Sequence, residues 1–338
     1  MDEIDSAKLN ETSNKLVAPG KGILAADESD GTIKKRFDKI GVESSVENHR
    51  IYRQLLFTSL DVEKYISGVI LYDETIRQKT DDGIPFAKYL SDRGIMAGIK
   101  VDKGTVELST GSLEKVTQGI DTLNERLLEY KDMGAKFTKW RAVITIGEGI
   151  PTDDCINKNA QLLARYAKIS QNNGFVPIVE PEVLMDGDHN LEKCEEITYK
   201  TLKAVFSELF REGVDITGML LKPNMVISGK ENSQKASSKE IAESTLRCFS
   251  ECLPKELPGV VFLSGGQSPQ EATENLNEMN KIDFFCQLSF SFGRALQEPV
   301  LKVWGGKSEN IKKAQEEFLK RAKLNSLARF GQYRVDLE

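Results

Sequence analysis

The sequence predicts an α/β fold, a single (β/α)8 TIM barrel over residues 1–338, on three observations. Eight short apolar runs recur along the chain and each ends in polar groups, helical patterns separate most of them, and no linker or low-complexity break divides the whole. Alternating strands and helices imply parallel strands, and eight such units imply closure into a barrel. An open doubly wound sheet is the competing architecture, but the first strand, turn and helix lack the G-x-G-x-x-G fingerprint.

The opening element is an extra N-terminal helix, because Ile4, Ala7, Leu9 and Leu16 make an imperfect apolar stripe that ends before Pro19-Gly20. Strands are predicted at 22–27, 68–73, 96–101, 137–143, 176–180, 218–222, 260–266 and 286–291, each a short apolar run bounded by turn residues or charge. A helix is predicted over about 46–60, with Ile51, Leu55 and Leu56 on one side. Helices over 123–133, 156–172 and 192–211 stop at or just before Gly134, Gly174 and Gly213, which suit a left-handed C-terminal cap. Ser237 with Glu240 and Ser268 with Glu271 have capping-box spacing, and Pro269 sits where a first helical turn tolerates it. Residues 108–119 have the weakest pattern and read as a loop leading into a helix. The chain closes on a short C-terminal tail.

Composition narrows the function classes. Hydrophobic content of 39% and charged content of 29% describe a soluble globular chain with ample core material. A net charge of −6 disfavours nucleic-acid and membrane-surface partners, so any phosphate site must be local. The five cysteines (Cys155, Cys194, Cys248, Cys252, Cys286) form no C-x-x-C pair and no zinc-like spacing, which fits a reducing compartment. Cys248 and Cys252 share a helix face and read as packing residues. With only His49 and His189, a His-rich metal site or a Ser/His/Asp triad would have to be built from almost nothing. Asp186-Gly-Asp-His-Asn lacks the calcium-loop pattern and reads as a polar turn. No metal and no cofactor are expected. The acidic amino terminus does not resemble a signal peptide and no apolar run is long enough to span a membrane, so a cytoplasmic protein is expected.

In a barrel the carboxyl ends of the strands meet at one mouth, which makes Asp27, Asp73, Lys100, Lys139, Arg141, Glu180, Lys222, Ser264 and Ser291 neighbours. Lys222 follows the apolar run Gly218-Met-Leu-Leu and precedes Pro223, which cannot donate a ladder hydrogen bond. Taken alone, Lys222 reads either as a strand-end lysine that snorkels to solvent or as a lysine held among apolar residues. The latter loses hydration of its ammonium form, so that a neutral amine becomes available to attack a carbonyl carbon and form a Schiff base, and the polar endings of the other strands favour it. Lys139 and Arg141 share a strand face, as do Glu180 and Glu182 if Pro181 leaves the strand intact. Two cations near Lys222 would lower its pKa further. The loops after the seventh and eighth strands are the usual phosphate site of a barrel. Here Ser264, Gly265 and Gly266 lead into a helix, while Ser291, Gly293 and Arg294 offer a hydroxyl, an amide and a guanidinium. At the opposite rim, Glu28-Ser29-Asp30-Gly31-Thr32 with Lys34, Lys35 and Arg36 reads either as a second phosphate grip, with Lys100 behind it, or as a solvated helix start.

Seven motifs, GILAADES, GIKVDKG, KWRAVI, PIVEPE, LLKPNMV, FLSGGQS and SFGRALQ, together resemble the class I (Schiff-base) fructose-bisphosphate aldolases from about Lys15 to Arg329. The resemblance implies a metal-independent (β/α)8 enzyme of glycolysis and gluconeogenesis, a homotetramer acting on small sugar phosphates, that reversibly cleaves fructose 1,6-bisphosphate to dihydroxyacetone phosphate and glyceraldehyde 3-phosphate. It implies Lys222 as the Schiff-base lysine, Glu180 as the acid/base of imine chemistry, Asp27 as the base for the hydroxyl proton, and Lys139 as an aid to imine formation and hydrolysis. Ser264, Gly265, Gly266, Ser291 and Arg294 match the phosphate site on the ketone side, and Gly293 beside them is expected to contact the substrate. Arg36, Lys100 and Arg141 match contacts to the substrate or its second phosphate, and Ser29 and Thr32 on the same rim are expected to bind substrate as well. The chain departs from the family at Asp30, where a small hydroxyl residue is usual, at Phe292, where Tyr is common, and in its tail, where no tyrosine matches the one that reaches the site in relatives. These departures leave a Schiff-base aldolase of fructose 1-phosphate or another sugar phosphate as the alternative enzyme. A barrel scaffold without catalysis is disfavoured, since every charged catalytic position is filled.

Overall fold

A computed structural model describes residues 5–338, so Ile4 of the opening stripe lies outside the described residues. The strands are β1 (Gly22–Ala26), β2 (Ile66–Leu71), β3 (Met96–Lys100), β4 (Thr105–Glu107), β5 (Lys115–Thr117), β6 (Phe137–Ile144), β7 (Val176–Val183), β8 (Leu220–Leu221), β9 (Gly259–Phe262) and β10 (Gln287–Phe292). All but β4 and β5 pair in parallel in the closed order β1-β10-β9-β8-β7-β6-β3-β2, the barrel that the sequence predicts. The helices are α1 (Ser6–Leu16), α2 (Asp30–Asp38), α3 (Val46–Phe57), α4 (Asp73–Ile76), α5 (Phe86–Asp92), α6 (Leu123–Asp132), α7 (Asp153–Asn172), α8 (Leu191–Arg211), α9 (Ser238–Cys252), α10 (Pro269–Asn280), α11 (Arg294–Trp304) and α12 (Ile311–Ala328).

The two-residue period of the strands sorts side chains between lumen and helical jacket. Ile23, Ala25, Phe137, Val176, Ile178, Leu220 and Val261 face inward and cluster with Leu9, Leu16 and Val17. Helix α1 therefore plugs the amino-terminal end of the barrel, tied there by the Ser13 hydroxyl, which donates to the Thr217 carbonyl at 2.9 Å. Gly98 makes room for the Phe137 ring, since a Cβ there would lie 2.2 Å from it. The alternate residues, among them Leu24, Trp140, Val179, Leu221, Phe262 and Phe290, face outward into the larger core. Trp140 stacks on Tyr166 of α7 with centroids 5.4 Å apart. Burying a large apolar side chain of this kind contributes roughly 1.5–3 kcal/mol.

Helix ends follow the expected chemistry. Both capping boxes form, with Ser237 and Glu240, and Ser268 and Glu271, bonding reciprocally. Gly134, Gly174 and Gly213 take positive φ of 98°, 81° and 66°.

Three local expectations are corrected. Helix α3 stops at Phe57 rather than near Leu60, and Asp61 then turns the chain with a left-handed φ of 61°. Residues 108–119 are not a plain loop, because β4 and β5 form an antiparallel pair and Glu114 accepts from the Thr152 amide at the start of α7. Asp73 does not join the mouth, because β2 ends at Leu71 and the Asp73 carboxylate begins α4, bonded to Arg77 and to the Tyr130 hydroxyl.

Candidate active site

The same strand faces that fill the lumen carry the charged residues one step further up. Phe137 is followed by Lys139 and Arg141, Ile178 by Glu180 and Glu182, Ala25 by Asp27, and Leu220 by Lys222. Pro181 does not interrupt β7, whose register with β6 runs through it. Lys222 continues the ladder past β8, its amide donating to the Val179 carbonyl at 2.8 Å, and its side chain is buried at 4% exposure.

These residues wall a cavity of about 300 Å³ at the barrel mouth. Asp27, Lys139, Glu180 and Lys222 line it, as do Ser29, Thr32, Arg36, Lys100 and Arg141. Ser264, Gly265, Ser291, Gly293 and Arg294 complete the far wall. Gly266 is absent from that wall. It turns the chain with φ 79°, and a Cβ there would lie 2.6 Å from Met185.

Lys139 bridges two carboxylates, Asp27 at 2.7 Å and Glu180 at 3.1 Å, and Glu180 lies 3.3 Å from Lys222 Nζ. Burial alone would raise the Asp27 carboxyl, but the Lys139 and Lys222 charges overrule it and hold the group well below the usual carboxylate range. Burial alone would likewise lower the Lys139 ammonium, and the Asp27 and Glu180 carboxylates hold it well above its ordinary value. Arg141 is ion-paired with Glu182. Lys139 and Arg141 therefore do not face Lys222 as the bare cations expected from the sequence.

The wall around Arg294 differs. Arg294 has no ion-pair partner among the described residues, whereas Lys100, Lys139, Lys222, Arg36 and Arg141 each have at least one. The Ser291 hydroxyl is buried without a hydrogen-bond partner among the described residues. An unpaired guanidinium, an unpartnered hydroxyl and the amides of a glycine turn make this side of the mouth receptive to an anion. On the other rim, Ser29 and Thr32 hydroxyls lie 3.2 Å apart at the start of α2.

Sequence reasoning missed several supports. Asp102 lies two residues after Lys100 on its face, takes the Lys100 ammonium at 2.5 Å and accepts from the Arg141 amide. Its spacing was the available signal. Glu28 is buried between Arg36 and Arg53 and accepts from Gln297 Nε2 at 2.8 Å. Burial would raise its carboxyl, yet the two guanidiniums hold it below the usual range. Arg53 and Gln297 come from distant helices, and no local pattern links them to Glu28.

A family profile described as "Fructose-bisphosphate aldolase class-I" matches residues 8–338. A "Probable fructose-bisphosphate aldolase class 1" of Xanthomonas campestris is 52% identical over 97% of this chain and 98% of its own. Fructose-bisphosphate aldolase C of Carassius auratus is 52% identical over 96% of this chain and 91% of its own. A solved structure of fructose-bisphosphate aldolase from Plasmodium falciparum, in complex with TRAP and a small molecule inhibitor, superposes with a TM-score of 0.96 at 50% identity, covering 97% of this chain and 96% of that one. The chain thus belongs to the class-I fructose-bisphosphate aldolase family.

Proposed function

We propose that Lys222 is the covalent centre of a reversible cleavage of fructose 1,6-bisphosphate, the reaction of the class-I aldolases. The observation that carries this is a lysine buried at 4% exposure beside a carboxylate 3.3 Å away, with Lys139 joining that carboxylate to Asp27. The Lys222 amine attacks the ketone carbon and Glu180 exchanges the protons that let water leave. The protonated imine then acts as an electron sink. Asp27, kept ionised by Lys139, takes the hydroxyl proton as the carbon–carbon bond breaks, and the released electrons are held as an enamine. Protonation of the enamine and hydrolysis of the imine release dihydroxyacetone phosphate. Ser264, Gly265, Ser291, Gly293 and Arg294 hold the phosphate on the ketone side. Ser29, Thr32 and Lys100 take the second phosphate, and Arg141 and Arg36 contact the substrate, Arg36 from its place between Glu28 and Gly293.

Borohydride trapping with dihydroxyacetone phosphate tests the reading. One ligand is expected on Lys222, with activity retained in a chelator, and labelling of another lysine would refute it. We propose also that the enzyme works in the cytoplasm as a homotetramer. No helix of the described residues is long and apolar enough to cross a membrane, and sedimentation velocity tests the assembly state.

A further inference from the structure

Away from the barrel mouth, three side chains form a hydrogen-bonded series that the aldol chemistry does not use. Ser44 lies in the turn between α2 and α3, His49 in the first turns of α3, and Glu74 on α4. The Ser44 hydroxyl is 2.8 Å from His49 Nε2, and His49 Nδ1 is 3.0 Å from the Glu74 carboxylate. The order is that of a nucleophile, a base and an acid that orients the base. Glu74 fixes the proton on Nδ1, which leaves the Nε2 lone pair for the Ser44 hydroxyl. The imidazole is held on a third side by the edge of Phe37, with ring centroids 5.6 Å apart. It is buried at 6% exposure, whereas Ser44 is only half-buried. A sheltered base behind an accessible hydroxyl is the exposure pattern that nucleophilic catalysis needs.

The turn also supplies a place for developing charge. Ser45 is the N-cap of α3, and its hydroxyl accepts from the Asn48 amide. The amides of Val46 and Glu47, in the turn that opens the helix, face out of its amino-terminal end beside Ser44, where the helix dipole favours an oxyanion.

We propose that Ser44, His49 and Glu74 form a second catalytic site, one that hydrolyses small uncharged carboxylic esters. Exposed Val46, at 62%, offers an apolar contact for a short acyl group, and exposed Glu43 and Glu47 disfavour anionic esters. In the reaction the Ser44 oxygen bonds to the acyl carbon as its proton passes to His49 Nε2. The bond to the alkoxy oxygen breaks, and that oxygen leaves with the proton from Nε2. Water repeats the sequence, giving the carboxylic acid and free Ser44.

The test reacts the full chain with a fluorophosphonate and locates the adduct by peptide mass spectrometry. A Ser44 adduct is expected in the natural chain and in Lys222→Ala, which also removes Schiff-base reactivity. Labelling should slow by at least about tenfold in His49→Ala and in Glu74→Gln, since orienting the base is a large part of such a triad. Each variant counts only if it retains fructose 1,6-bisphosphate cleavage, and Glu74→Gln decides alone if His49→Ala does not fold. In the Lys222→Ala background, p-nitrophenyl acetate hydrolysis should fall further on Ser44→Ala. No adduct at Ser44, equal labelling in the Glu74 variant, or ester hydrolysis that survives Ser44→Ala would overturn the proposal, while leaving the aldolase reading untouched.

Discussion

Replacing Arg294 by Ala should slow cleavage of fructose 1,6-bisphosphate and of fructose 1-phosphate alike. Its guanidinium opens α11 and has no ion-pair partner among the described residues, so truncation orphans no buried carboxylate and the fold should keep its stability. What is lost is a charge-assisted contact to the phosphate that both sugars carry, worth about 1.5–3 kcal/mol. At about 1.4 kcal/mol per decade this is roughly ten- to hundredfold in kcat/KM. Lys100 behaves oppositely on both counts. Its ammonium sits 2.5 Å from the Asp102 carboxylate, whose side chain is 3% exposed, so Lys100→Ala strands a buried charge and destabilises the fold by up to about 3–5 kcal/mol. That damage acts on either substrate, and the ratio of kcat/KM for the two sugars cancels it. If Lys100 grips the second phosphate, the ratio should fall at least about tenfold in Lys100→Ala and stay unchanged in Arg294→Ala. Steady-state assays of both variants on both sugars decide the matter. An unchanged ratio in Lys100→Ala, or a lower one in Arg294→Ala, would refute the two-phosphate assignment.

Three further outcomes follow from the carboxylates. Asp27→Asn should still trap an imine at Lys222 but fail to cleave, whereas Glu180→Gln should slow imine formation and release; a change in KM alone in both variants counts against these roles. Lys139→Met leaves two buried carboxylates facing each other, so the acid limb of the pH–rate profile should move to higher pH, and an unmoved limb excludes Lys139 as the group that keeps Asp27 ionised. Because Asp27 and Glu28 are both held below their ordinary values, the stability they contribute is present above about pH 4 and lost as the pH falls further. Urea midpoints should drop in that range, and a flat profile contradicts the ion pairing seen at the mouth.

The barrel was legible because its signals are local. A buried parallel strand needs only a short apolar run, and the polar residue that ends it, as at Lys222 or Asp27, sits on the lumen face by the period of two. Capping boxes and terminal glycines are equally local. What escaped was non-local or weakly patterned. Strands β4 and β5 are short and mostly solvent-facing, so no alternation marks them. Asp73 looked like a strand ending because an apolar run precedes it, yet it opens α4 and pairs with Arg77, the residue that caps that helix one turn later. The Glu28, Arg53 and Gln297 cluster joins three elements far apart in sequence. The charge on Lys139 escaped for a different reason, since counting cations ignored the carboxylates that arrive from neighbouring strands.

Those carboxylates explain how so charged a mouth can be buried at all. Taking an isolated ion out of water costs several kcal/mol, and opposite charges in contact offset it. Asp27, Lys139, Glu180 and Lys222 alternate in sign, with successive contacts of 2.7, 3.1 and 3.3 Å. In the proposed mechanism a proton passed from Lys222 to Glu180 would neutralise both, freeing the amine without creating net charge in a poorly solvated space. Lys139 stays charged meanwhile, and Asp27 stays ionised beside it. On the proposed roles the two carboxylates would take different work from their places in one row, Glu180 trading protons with Lys222 and Asp27 serving as the base. Arg294 and Ser291 stand outside this balance without partners of their own. On the proposed reading the substrate phosphate is the negative charge that satisfies them, and its binding there would fix the carbonyl carbon relative to Lys222.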